Sequence, residues 1–78
     1  MTEKWTLAEW QEHVGGLSPE ELWIQATAAN RMEFYRVLRA DGYTGAEIET
    51  VIGFFADRFR ALGKDPPPGG LFDLSKMF

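Results

Sequence analysis

The chain has no cysteine and a single histidine, and no apolar run long enough to cross a bilayer. The missing thiols exclude disulfides and thiolate zinc sites and give no sign of secretion. One imidazole leaves a metal site to be built almost wholly from carboxylates. Positive charge is scarce as well: eight Lys and Arg face twelve Asp and Glu, for a net charge of −4. Residues 1–30 hold five acids and one lysine, so the acidic excess lies in the first third. That distribution does not suit a nucleic-acid or anionic-membrane surface, because both need concentrated positive charge. The polar start, Met1-Thr2-Glu3-Lys4, shows no signal peptide, which leaves the cytoplasm as the expected location.

With 78 residues there is room for one core, and a domain of this size buries only about 60–65% of its unfolded surface. Dense aromatic packing is the remaining source of stability. Eleven aromatic residues are present.

The segment from Thr44 to Leu62 organises the rest. Ile48, Val51, Ile52, Phe55, Phe59 and Leu62 share one helical sector, with Glu49, Thr50, Asp57 and Arg60 opposite. Three helix starts share one pattern: an apolar residue, Ser or Thr, Glu three residues on, then another apolar residue. They are Trp5-Thr6…Glu9-Trp10, Leu17-Ser18…Glu21-Leu22 and Tyr43-Thr44…Glu47-Ile48. Each predicts a capping box closed by a hydrophobic staple, with the cap worth about 1 kcal/mol. Pro19 suits the first helical position. Gly15-Gly16, Gly42 and Gly63 supply the stops.

The predicted fold is therefore all-α: a three-helix domain over residues 1–63, with helices near 7–14, 19–41 and 45–62. An extended C-terminal arm hinged by Pro and Gly follows over residues 64–78. On the long second helix one face presents Trp23, Ala26, Thr27, Phe34, Val37 and Leu38, with Asn30 near its centre. A flank holds Ile24, Ala28, Met32 and Tyr35. Either the first helix covers that flank with Leu7, Trp10 and Val14, or the flank is a surface for a partner. The arm ends in Leu71, Phe72, Leu74, Met77 and Phe78, too apolar for a wholly solvated tail, and is expected to dock on its own helices or on another chain.

No chemistry is legible. Glu9 and His13 share a face, but no third ligand completes a metal site, so they read as a pair at a helix end. No nucleophile motif or phosphate-cradling glycine loop is present, and neither enzyme activity nor a cofactor or metal is expected. Asn30 reads as a polar group that fixes helix register. Phe54 lies off the buried stripe. It is either covered by the first helix or the arm, or it is an interface anchor.

Gly42-Tyr43-Thr44-Gly45-Ala46-Glu47-Ile48-Glu49-Thr50-Val51-Ile52-Gly53 resembles the opening of a helix-turn-helix of the sigma-factor or resolvase kind. That resemblance implies a turn at Gly53 and a recognition helix from Phe54 to Leu62, with Arg58 and Arg60 toward DNA. The chain departs from the pattern at Glu49 and at Phe54-Phe55. The apolar stripe also keeps one helical phase through Gly53, which favours a continuous helix in which Gly53 admits a close neighbour. In size, acidity and its proline-hinged arm the chain resembles accessory proteins of bacteriophages. Such a resemblance implies a virion assembly or connector part, or an inhibitor of a host enzyme or nucleic-acid machine, located in the virion or the cytoplasm. The expected function is protein–protein interaction, with a protein partner or a homo-oligomer and no membrane. The partner-binding residues are expected to be Met32, Tyr35, Phe54, Leu71, Phe72, Leu74, Met77 and Phe78.

Overall fold

The structure, a computed structural model, describes residues 4–28, 30–67 and 69–72. It is all-α. Four helices run in order: α1 (Leu7–Gly15), α2 (Pro19–Thr27), α3 (Arg31–Ala40) and α4 (Gly45–Ala61). A single 3-10 turn, Gly70–Phe72, follows in the arm.

α4 is the central rod. Ile48, Val51, Ile52, Phe55 and Phe59 are all buried along it, and Leu62 is half-buried at its end. α1 packs along one side, while α2 and α3 meet other sides. The helix passes through Gly53 without a break. Among the described residues no neighbour approaches the place where a Gly53 Cβ would stand. The glycine therefore serves no close contact, contrary to the sequence expectation, and the turn required by a helix-turn-helix is absent.

The starts form as their chemistry dictates. Thr6 and Thr44 close full capping boxes with Glu9 and Glu47. At α2 the Ser18 hydroxyl accepts from the Glu21 amide at 3.2 Å, but the Glu21 carboxylate takes the Ser18 hydroxyl at 2.9 Å. The staple at α1 is an edge-to-face pair, Trp5 on Trp10, with ring centroids 4.9 Å apart. α3 and α4 stop alike. Tyr43 N–H donates to Leu38 O and Lys64 N–H to Phe59 O, around left-handed Gly42 and Gly63. Gly16 instead caps α1 in the right-handed region.

The predicted helix over 19–41 is two helices. α2 ends at Thr27, whose hydroxyl bonds back to Trp23 O and Ile24 O. α3 starts on Asn30, whose Oδ1 accepts from the Glu33 amide at 2.8 Å. Asn30 is thus a helix cap and not a polar group amid an apolar face. The break opens a wedge that the arm fills. Leu71 is 1% exposed within the main core beside Leu22, Ala26, Phe55 and Phe59. The Gly70 backbone presses so closely on α2 that an added Cβ would stand 2.2 Å from Ala26 O. The 3-10 turn touches both α2 and α3, so residues 70–72 belong to the helical core.

Candidate functional site

Three polar clusters tie the helices together. Tyr43, buried between α3 and α4, accepts from Trp10 Nε1 at 3.0 Å and donates to Trp5 O at 2.6 Å. Arg58 donates through Nη2 to Leu17 O at 2.9 Å and holds the α1–α2 turn against α4. Arg31, mostly buried, donates to Glu49 on α4 and to Leu71 O at 3.3 Å in the arm. Tyr35 also donates to Glu49. The Tyr35 hydroxyl, followed by Arg31, holds the Glu49 carboxyl below the usual carboxylate range. Partial burial, reinforced by that carboxylate, pushes the Tyr35 hydroxyl up. Each group in these clusters is occupied by a structural partner. His13 bonds Gln25 on α2 at 3.2 Å, while Glu9 is held in its capping box, so the expected Glu9–His13 pair does not form. Among the described residues no group of three His, Cys, Asp or Glu lies close enough to hold a metal. None of the described helices is long and apolar enough to cross a membrane.

The positive charges that the helix-turn-helix resemblance assigns to DNA are engaged elsewhere. Arg58 holds Leu17 O, and Arg60 pairs with Asp57 at 3.2 Å.

The expected partner residues are scattered. Phe54 is half-buried in a crevice of about 230 Å³ with Gln11, Val14 and Gly15 of α1, so the first helix covers it. Tyr35 is half-buried and bonded to Glu49. Leu71 is core, and Phe72 packs edge-on against Phe59 with centroids 5.8 Å apart. Met32 is 54% exposed. Leu74, Met77 and Phe78 lie outside the described residues.

Large apolar side chains stand exposed before α1 (Trp5), on α2 (Trp23 and Ile24) and on α3 (Met32 and Val37). Trp23 is 47% and Ile24 64% exposed, so of the two readings of the flank that holds Ile24, cover by the first helix does not hold at this residue. α1 packs on α4 instead. Pro19 and Trp23 form one row along α2, and Glu20 and Ile24 the next. Lys64, just past α4, faces them across a cleft of about 400 Å³. The floor is firm, because the Trp23 ring packs edge-on against the buried Phe59, centroids 6.5 Å apart. Sequence reasoning missed this cleft because a single 19–41 helix places Trp23 on one face and Ile24 on a flank beside Met32 and Tyr35, with Lys64 beyond its reach. The signal that finds it is Asn30 with Glu33 three residues on, the same start pattern as at the other three helices.

Comparison of the chain with protein-family models, with curated proteins and with solved structures found no match to any of them.

Proposed function

We propose that the protein is a non-enzymatic protein-binding module whose docking surface is the α2 cleft. The observation that carries this reading is the pairing of Trp23 and Ile24. Two large apolar side chains stand exposed on adjacent helical rows, over a rigid floor and between charges of opposite sign, Glu20 and Lys64. Leaving them in water forgoes roughly 25 cal/mol for each Å² of apolar surface that burial would remove. Aromatic anchors in clefts of this kind dominate binding energy at interfaces. The clusters that could suggest chemistry are all engaged in holding helices together.

The arm enters this reading differently from the sequence expectation. Leu71 and Phe72 pack on their own chain, so a partner meets α2 and not these two residues. Assembly part and host-protein inhibitor remain the two kinds of role the module would serve, and they differ in electrostatics. An inhibitor gripping a basic target through the acidic first third loses affinity as salt rises, whereas an apolar docking contact does not.

The test is Ile24→Glu, which leaves the core untouched. With the helical circular dichroism unchanged, this variant is expected to lose the protein that the unaltered chain captures from its native host. A capture profile identical to that of the unaltered chain would overturn the reading.

A further inference from the structure

The α2 cleft carries both signs of charge, one on each side. Pro19, Glu20, Trp23 and Ile24 form its α2 wall, and Lys64, just past α4, stands opposite. Arg31, Arg36 and Arg60 are paired with Glu49, Glu33 and Asp57. Among the described residues neither Glu20 nor Lys64 has an ion-pair partner, and the two do not reach each other across the cleft. Between them the apolar pair is open to water, Ile24 more so than Trp23.

This layout is self-complementary. A two-fold axis through the middle of the cleft carries each side of one copy onto the opposite side of the other. Glu20 then meets Lys64 of the second copy, and Lys64 meets its Glu20, so a single interface forms two pairs of opposite charge. The same operation lays the Trp23 and Ile24 wall of each copy over the Lys64 side of the other. There the indole finds the apolar stem of the lysine and its ammonium, which an aromatic face attracts. An unrelated partner needs its own sequence to supply the reverse order of charges, whereas a second copy presents that order by symmetry.

We propose that the occupant of the α2 cleft is the same cleft of a second copy of this chain, in a two-fold dimer whose Glu20–Lys64 pairs flank the Trp23 and Ile24 walls. The inference rests on the reading of the cleft as a docking surface and names the partner. Phe59 beneath Trp23 holds the indole in place before association, so little side-chain freedom is lost when the copies meet. The lining residues, Pro19, Glu20, Trp23, Ile24 and Lys64, offer far less than the about 800 Å² per partner of a standard interface. The dimer is therefore weak and comes apart on dilution.

The test follows sedimentation of the full chain from about 10 µM to about 1 mM, where a small interface associates. The unaltered protein is expected to pass from monomer to dimer over this range, and Ile24→Glu to stay monomeric. Glu20→Lys sets a lysine against Lys64 of the other copy, and Lys64→Glu sets a glutamate against its Glu20. Each change should weaken the dimer about tenfold, because symmetry repeats each exposed pair twice. Mixed one to one, the two charge variants regain opposite charges at both contacts, so the mixture should dimerise about tenfold more tightly than either variant alone. A contact within one chain cannot produce that gain. A protein monomeric throughout the range overturns the proposal. So does a dimer indifferent to Ile24→Glu, or a mixture no tighter than its components. If Ile24→Glu then still loses its captured host protein, only self-association falls and the cleft remains a docking surface for another protein. If the capture profile is unchanged as well, the reading of the cleft falls with it.

Discussion

Glu49 sits on the side of α4 that the apolar periodicity assigns to solvent, yet Tyr35 and Arg31 of α3 both donate to it. Its folded pKa lies below the unfolded value, so its contribution to stability is complete above the ordinary carboxylate range, near about 4.3. That contribution disappears as pH falls through the depressed folded value. Glu47, lowered by the backbone N–H of Thr44, acts in the same direction. Glu49→Gln is therefore expected to be less stable than the unaltered protein at pH 7. The gap should narrow as urea midpoints are followed from pH 5 down to pH 2, and a gap independent of pH would show that the carboxylate charge contributes nothing. Gly53 is the opposite case at the same scale. It is helical, has no neighbour among the described residues within reach of an added Cβ, and costs about 1 kcal/mol relative to alanine in a helix interior. Gly53→Ala is expected to raise stability by about that amount in the same titration.

The division of residues 19–41 into α2 and α3 turns on one cap. Asn30 satisfies the Glu33 amide and sets the direction of α3. Asn30→Ala is expected to cost about 1 kcal/mol, read as a lower urea midpoint with an unchanged slope. If the two helices fused instead, helical ellipticity would rise. The wedge for the arm would then close, since Leu71 and Gly70 occupy the angle between α2 and α3. The long-helix expectation followed a real periodicity. Trp23, Ala26, Asn30, Phe34 and Val37 do share a helical sector over that span, and a break of three residues is invisible to a test of phase. The break is legible instead in the capping chemistry of Asn30 and Glu33, identical in spacing to Thr6 and Glu9.

Across the whole molecule, the arm completes the core. Leu71→Ala removes a fully buried side chain and is expected to cost about 2–5 kcal/mol, a large part of the total stability of so small a domain. Gly70→Ala meets two obstacles at once. Its φ is +60°, and the new Cβ would fall 2.2 Å from the Ala26 carbonyl, which belongs to backbone and cannot swing away. It is expected to cost more than about 1 kcal/mol and to loosen residues 70–72 selectively, seen as faster amide exchange there than in α4. Equal loosening throughout would mean that the arm and the helices unfold as one unit.

Local chemistry within the chain was enough to place the starts of α1, α2 and α4, the glycine stops of α1, α3 and α4, the buried stripe of α4 and the all-α class. Caps, staples and helical faces all involve residues within about four positions of one another, so their physics is written in short stretches. Contacts between residues about 40 apart lay beyond such reading: Arg31 on the Leu71 carbonyl, Arg58 on the Leu17 carbonyl, and Leu71 beneath α2. These depend on the angles at which helices cross. It was the packing of α1 on α4, and not on the α2 flank, that left Trp23 and Ile24 in water and created the cleft.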